Sequence, residues 1–172
     1  MFFVHSGSVV ARLTNRCIYI YIVLSVLFHD TMKPIKLPCY CGSIRQASRI
    51  VTQLYDQALK PSGLKITQFG ILRLLSAYPG LTTGEIAEAL AMDSTTLTRT
   101  LKIIQENAWI EATPGEDRRE RHWSVTPAGK ERVGEAVPLW KNAQKEFAQL
   151  AGDVDLDGLT KAVFHLVHKA GS

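Results

Sequence analysis

The chain has 172 residues, of which 46% are hydrophobic and 21% are charged, and its formal net charge at pH 7 is +4. This length and hydrophobic content exclude a disordered polypeptide and fit one globular domain with room for an extension. The charge is compatible with nucleic-acid binding but too mild to indicate it, and three cysteines, an odd number, imply no disulfide framework.

The N-terminal segment differs in character from the rest of the chain. Arg12 and Arg16 precede an apolar run over residues 17–28. The run is too short for a transmembrane helix and resembles the hydrophobic part of a signal peptide, yet no small-x-small cleavage site follows it. Since Met32 would be a natural start, we interpret residues 1–31 as an upstream translation artefact or a disordered tail rather than a membrane anchor, within an extension that covers residues 1–37.

Two cysteines, Cys39 and Cys41, stand one residue apart before the first long helical pattern. Such a pair can bind a soft metal ion or a thiophilic metalloid, or react with oxidants. No further ligands stand at the spacing of a tetrahedral site, so we predict no metal site and no cofactor. The pair is either a thiol sensor or two small buried residues without a functional role.

Two amphipathic patterns follow and predict two helices. The first, over residues 41–60, ends at Pro61-Ser62-Gly63, and the second is expected to begin with Thr67 as its cap and to stop at Pro79-Gly80. The first stripe recurs at helical spacing and comprises Ile44, Ala47, Val51, Leu54, Tyr55 and Ala58.

Two short helical patterns next to each other predict a helix-turn-helix. Thr82 and Glu85 have the spacing of a capping box, and the second helix begins at Asp93 or Ser94 after the turn Ala91-Met92-Asp93. Its apolar side chains, Leu97, Leu101 and Ile104, share one face. This arrangement is typical of proteins that place the second helix in the major groove of DNA.

The other face of that second helix carries short hydroxyls and two cations. Hydroxyls reach phosphates or base edges, and an arginine can donate two hydrogen bonds to guanine. An ordinary solvated helix face is the alternative, which the neighbouring capping box and hairpin disfavour. The predicted DNA contacts are Ser94, Thr95, Thr98, Arg99 and Lys102.

Alternating segments at 109–113 and 121–125 predict a hairpin, or wing, because the turn residues Pro114-Gly115-Glu116-Asp117 lie between them. Arg118 and Arg119 are near its tip and Arg121 just beyond, positions that suit a narrow minor groove. The alternative is a surface ladder of ion pairs with the nearby acidic residues. The DNA-binding core is thus predicted over residues 66–126.

After the wing, Thr126-Pro127 begins a long helix in which Pro138 should cause a kink, and a last helix follows. The apolar stripes of the first and last helices lie outside the predicted winged helix. A second copy of the chain is their simplest partner, so we predict a homodimer through helices at 41–60 and 127–170.

Two other motifs do not carry chemistry. The segment 153–158 opens like a calcium-binding loop, but its twelfth position is Phe164, so we interpret Asp155 as a helix cap. His165 and His168 lack a third metal ligand. No arrangement of nucleophile and base, and no phosphate-binding glycine loop, is present, so we predict no enzymatic activity.

The chain from about Pro38 to its C terminus resembles the MarR family of bacterial transcriptional regulators, so residues 38–172 are expected to form one MarR-type domain. In this family a glycine usually ends the recognition helix. Ala108 stands there instead, so we expect Asn107 to take the left-handed conformation, and Trp109 replaces a smaller aliphatic residue. The matching residues are Leu81-Thr82, Gly84-Glu85-Ile86-Ala87, Leu90, Leu97-Thr98-Arg99, Leu101, Glu106, Asp117-Arg118-Arg119, Val125-Thr126 and Ala128-Gly129.

The resemblance implies a mostly α fold with a small β-wing: a winged helix-turn-helix plus terminal dimerisation helices. It also implies a cytoplasmic homodimer that binds a pseudo-palindromic double-stranded operator, has no membrane partner, and acts as a repressor released by a signal. The signal is either thiol-directed, at Cys39 and Cys41, or a small aromatic effector in a cleft lined by Tyr55, Phe69 and Trp109. Two other classes remain: a winged-helix module that binds protein instead of DNA, and a cysteine-based metal- or metalloid-binding protein.

Overall fold

The computed structural model describes residues 38–115 and 120–170, so the interpretation of residues 1–31 lies outside the described residues. The chain divides after Ile44 into two units, and the first is described from residue 38 onward. The predicted mostly helical fold with a small β-wing is confirmed. Its elements are α1 (Tyr40–Leu59), α2 (Ile66–Ala77), β1 (Leu81–Thr82), α3 (Thr83–Ala89), α4 (Ser94–Glu106), β2 (Ile110–Pro114), β3 (Arg121–Val125), α5 (Pro127–Ala151) and α6 (Leu156–Ala170).

The connection from α1 to α2 is a short 3-10 turn over Lys60–Ser62, closed by Gly63 in a left-handed conformation with φ of 71°. Helix α2 begins one residue before Thr67, so the prediction that Thr67 caps it was wrong. The Ile66 N–H already donates to the Asp56 carboxylate of α1, with 2.7 Å between nitrogen and oxygen. This bond satisfies a free amide of the first turn and starts the helix earlier.

The three strands form an antiparallel sheet in the order β1-β3-β2. Strand β1 has two residues, too few for a recognisable alternation, and the sequence pattern missed it. It pairs Leu81 with Trp123 and Thr82 with His122. The preceding Gly80 donates its N–H to the Trp123 carbonyl at 2.8 Å, and the His122 ring nitrogen Nδ1 lies 2.8 Å from the Gly80 carbonyl oxygen. These bonds fix the base of the wing to the start of α3.

One contiguous hydrophobic core joins α2, α3, α4 and the sheet. Leu72, Ile86 and Leu101 are among its fully buried side chains, each worth roughly 1.5–3 kcal/mol relative to exposure. The core also includes Leu59 at the end of α1, and Val133 and Ala136 of α5; the expectation that the terminal helices lie wholly outside it was therefore wrong. Among the described residues, no helix has both the length and the apolar character needed to cross a bilayer.

The end of α4 corrects a second expectation. Ala108, and not Asn107, has the left-handed conformation, with φ of 57° against −84°. The reason is hydrogen bonding: the Trp109 N–H donates to the Ile104 carbonyl and the Ala108 N–H donates to the Gln105 carbonyl. This pair of bonds is the Schellman pattern, which requires its left-handed residue at position 108.

The carbonyl of Trp109 lies directly against Gly129 of α5. A Cβ at position 129 would stand 2.1 Å from that oxygen and 2.7 Å from the Val125 side chain, so only glycine fits. The match of Ala128-Gly129 to the family pattern thus has a steric explanation: the first turn of α5 packs on the backbone that leaves α4.

We predict that Gly129→Ala lowers the free energy of unfolding by about 2–3 kcal/mol, because the added methyl group meets backbone that cannot move freely. The matched control is Gly134→Ala in the same helix, where a Cβ would have nothing within 4 Å. That change should stabilise the protein by about 0.5–1 kcal/mol. Urea unfolding at one fixed protein concentration measures both, and equal effects of the two substitutions would contradict the packing argument.

Candidate nucleic-acid interface

Helix α4 presents the candidate interface, and its apolar face decides its orientation. Leu97, Leu101 and Ile104 are buried as predicted, so the opposite face points to solvent. Asp93 is the N-cap, and its carboxylate accepts a hydrogen bond from the Thr96 N–H at 2.8 Å. Hydrogen bonds from Thr96 hold the pKa of Asp93 below its ordinary value, and the side-chain bond lowers this pKa more than the backbone bond does.

The five predicted contact residues of α4 are all exposed. The Thr98 hydroxyl donates to the Ser94 carbonyl at 2.7 Å, which leaves its oxygen lone pairs as acceptors. Lys102 lies 3.8 Å from the Glu106 carboxylate, one turn further along the same helix. Within the described part of the chain, no ion pair involves Arg99. The described geometry therefore leaves the Arg99 guanidinium available to a ligand, whereas Lys102 is partly neutralised.

Helix α3 is held in place by the predicted capping box. The Thr82 N–H donates to the Glu85 carboxylate at 2.7 Å, and the Glu85 N–H donates to the Thr82 hydroxyl at 3.2 Å. The hydrogen bond from the Thr82 backbone is the largest of three causes that lower the pKa of Glu85; the bond from the Thr82 side chain and the electrostatic interaction with His122 are the other two. Ile86 is fully buried in the core that also holds Leu97 and Leu101, so α3 packs against α4 and supports it.

The structure describes the wing up to residue 115 and again from residue 120. Arg121 is exposed at the start of β3, where it pairs in register with Pro114. Arg118 and Arg119, together with Glu116 and Asp117, lie outside the described residues, as does the ladder of ion pairs considered for them. The base of the wing is anchored by Trp123, whose indole N–H donates to the Thr83 hydroxyl at 3.0 Å.

Both cysteines of the predicted thiol pair are exposed, so the alternative of two buried residues was wrong. Cys39 precedes the first residue of α1, and its carbonyl accepts from the Ser43 N–H at 3.0 Å. Over residues 38–115 and 120–170, no three His, Cys, Asp or Glu side chains are grouped to hold a metal ion. The Asp155 carboxylate accepts from the Gly158 N–H at 2.9 Å, which confirms its predicted role as a cap.

An open pocket of about 300 Å³ lies between α1, α2 and α5. Of the three residues proposed for an effector cleft, Tyr55 lines this pocket, and Phe69 and Trp109 do not. Phe69 is buried, with its ring centroid 6.0 Å from that of Trp140, and Trp109 faces Arg132. The sequence carried no signal for the other lining residues, which are Val51, Thr52, Ile66, Trp140 and Gln144.

Tyr55 is the polar centre of that pocket. Its hydroxyl donates to the Gln144 side-chain oxygen, and its ring lies 6.4 Å from that of Phe147. Burial raises the pKa of the Tyr55 phenol, so the group remains a protonated donor at neutral pH.

Helix α4 follows a tight turn and has one buried face, and a hairpin anchored at its base comes after it. This arrangement defines a winged helix-turn-helix protein. The family model described as the MarR family matches residues 62–120. A curated relative, the uncharacterized HTH-type transcriptional regulator YwoH of Bacillus subtilis (strain 168), is 32% identical over 107 residues, which are 62% of this chain and 68% of YwoH.

Solved structures agree with this class. The transcriptional regulator MosR of M. tuberculosis, in complex with DNA, is 33% identical, with a TM-score of 0.68 over 77% of this chain and 96% of its own. The MepR–DNA complex of S. aureus, at 19% identity, shares the fold, with a TM-score of 0.64 over 76% of this chain and 98% of its own. The chain belongs to the MarR family.

The cap of α4 has a testable pH dependence. The pKa of Asp93 is lower in the folded protein than its ordinary value of 3.8. The stabilisation that this carboxylate gives to the fold is therefore complete above pH 3.8 and is lost as the pH falls through the folded pKa. We predict that Asp93→Asn, which keeps a capping side chain without a titrating group, shows a shallower loss of stability below about pH 4 than wild type. Urea midpoints between pH 2.5 and 7 measure this. Parallel curves would mean that the Asp93 carboxylate does not cap α4.

Proposed function

We propose that this MarR-family protein is a sequence-specific, homodimeric, DNA-binding transcriptional regulator. The observation that carries the proposal is the exposed polar face of α4, held outward by three buried side chains and supported by α3. The relative MosR is described in complex with DNA, and it matches this chain over nearly its whole length. A module that binds only protein would not need a cation and hydroxyls grouped on this helix.

The roles of the α4 residues follow from their chemistry. Arg99 is the base-reading residue, because a guanidinium matches the two acceptors of guanine in the major groove. Ser94 and Thr95, in the first turn, and Thr98 contact phosphates or base edges close to the helix axis. Lys102, partly neutralised by Glu106, contributes to phosphate contacts alone.

The wing adds contacts to the flanking minor groove. Arg121 is exposed at the start of β3, and Arg118 and Arg119 precede it in the chain. An arginine near a narrow minor groove meets a strongly negative potential, so these cations add affinity and a preference for A·T-rich flanks.

The dimer follows from the apolar surface of α6. Phe164 is 75% exposed and Leu159 50%, and Leu150 and Val154 before this helix are also exposed. Exposed apolar side chains of this kind form a patch that a second copy of the chain can cover. Two recognition helices related by a twofold axis then read half-sites about one helical turn apart, which gives a pseudo-palindromic operator.

Within this function the protein acts in the cytoplasm as a repressor, without enzymatic activity, and a signal releases it from DNA. The exposed pair Cys39 and Cys41 favours a thiol-directed signal. Hydrogen peroxide would take two electrons and two protons from the two thiols, which leaves a disulfide and two water molecules. The alternative signal is a small aromatic acid in the pocket at Tyr55, where the phenol and the Gln144 amide offer polar contacts.

The base-reading role predicts the effect of Arg99→Ala. Affinity for a duplex selected by the wild-type protein from a random pool should fall by about 1–3 kcal/mol, and discrimination against other sequences should relax. The control is Lys141→Ala, which removes one positive charge from exposed α5 and should leave discrimination unchanged. Fluorescence anisotropy at fixed salt measures both. If Arg99→Ala weakens binding to all sequences equally, Arg99 contacts phosphate instead.

For the dimer, light scattering should give twice the chain mass of 19.1 kDa. Leu159→Asp should shift the equilibrium to monomer, because a buried carboxylate without a partner opposes association. His165→Asp is the control: it introduces the same side chain on the side of α6 that faces away from Leu159 and Phe164, and this variant should stay dimeric. A wild-type monomer, or dissociation of both variants, would contradict an interface at this stripe.

The signal is tested on DNA-bound protein. Peroxide and arsenite should release DNA from wild type but not from the Cys39→Ser/Cys41→Ser variant, whereas benzoate or salicylate should act on both or on neither. If the variant releases DNA as readily as wild type under peroxide and arsenite, the cysteines are not the sensor. Release by the aromatic acids that is lost in Tyr55→Phe would favour the pocket.

A further inference from the structure

Trp109 lies between the recognition helix α4 and strand β2, and each of its parts has a partner. Its N–H donates to the Ile104 carbonyl of α4 at 3.2 Å, and its carbonyl accepts from the Thr126 N–H at 3.1 Å. Its ring lies under the Arg132 guanidinium, with 5.6 Å from the central carbon Cζ to the ring centroid. The orientation of the last turn of α4 is therefore linked to the position of Arg132 on α5.

Arg132 has two further contacts. Its Nη1 donates to the Ser62 carbonyl at 3.4 Å and to the Glu135 carboxylate at 2.7 Å. Ser62 ends the short turn after α1, and its hydroxyl donates to the carbonyl of Leu59, the last residue of that helix, at 2.7 Å. One side chain of α5 thus contacts both the turn that follows α1 and Trp109, which lies between α4 and β2.

We infer that Arg132 is a positioning residue for operator recognition: through Trp109 and Ser62 it sets the orientation of α4 relative to the end of α1. The inference rests on the proposed DNA-binding function. The contact needs the flat guanidinium, which stacks on an indole while its edge donates to a carbonyl, whereas a lysine ammonium cannot do both.

The competing role for Arg132 is a surface ion pair with Glu135. The two side chains are 37% and 51% exposed and stand three residues apart on one helix, a geometry that contributes little to stability. Arg132→Lys and Glu135→Gln separate the two roles. The first keeps the charge and removes the stacking, and the second removes the ion pair and keeps the stacking.

The full-length variants are compared on two probes: a duplex selected by wild type from a random pool, and a random-sequence duplex of equal length. Arg132→Lys should lower the ratio of the two affinities about tenfold, since two copies each lose a partly buried cation–π contact. Its affinity for the random duplex should stay within about twofold, because the charge is unchanged. Glu135→Gln should keep the wild-type ratio. An unchanged ratio in Arg132→Lys, or an equal loss in both variants, overturns the positioning role.

Hydrogen exchange without DNA distinguishes failure of this inference from failure of the proposed function. Amides at 104–113 should exchange faster in Arg132→Lys than in wild type or Glu135→Gln, with the rest of the chain unchanged. Exchange that is unchanged at 104–113, or faster throughout the chain, overturns the inference whatever the protein binds. A wild-type protein that selects no duplex, with the expected local exchange, overturns the proposed function and its link to operator recognition but keeps the contact between Arg132 and α4.

Discussion

The structure depends first on the burial of one face of α4. Leu97, Leu101 and Ile104 are removed from water almost completely, and each is in contact with a core shared by α2, α3 and the sheet. At roughly 1.5–3 kcal/mol for each side chain, this burial decides the rotation of the helix about its axis. The polar face points outward because the apolar face on the other side of the helix is buried in the core. The proposed DNA-binding surface is therefore a consequence of core packing.

A second constraint fixes the position of that helix along its axis. The chain leaves α4 through a left-handed residue, Ala108, and passes so close to α5 that Gly129 is required opposite Trp109. The Thr126 hydroxyl donates to the Ala108 carbonyl at 2.7 Å and accepts from the Gly129 N–H at 3.1 Å. One threonine side chain therefore caps α5 and binds the exit of α4. These contacts join the first turn of α5 to the residues that follow α4.

Local signals were sufficient for much of the fold. The capping box at Thr82 and Glu85 and the cap at Thr126 are confirmed, and of the two predicted starts of α4 the structure has Asp93 as the N-cap. Each of these caps is a hydrogen bond between residues at most three apart. The alternation that predicted the wing is confirmed at β2 and β3. One error occurred where a distant group intervened. Asp56 of α1 starts α2 before Thr67, a contact across ten residues that no local pattern contains.

The sequence by itself determined the class of fold, the helix of the candidate interface and the exposure of its five polar residues, since helical periodicity separates a buried face from a solvated one without knowledge of the neighbours. Only the tertiary structure decided which side chains line the pocket, that Leu59 and Ala136 belong to the core, and that Arg132 joins Trp109 to Ser62. These contacts join residues far apart in the chain: Arg132 and Ser62 are 70 positions apart, and Tyr55 and Gln144 in the pocket are 89 apart. They depend on how the helices cross, and helix crossing is set by the packing of whole surfaces rather than by any short stretch of chain.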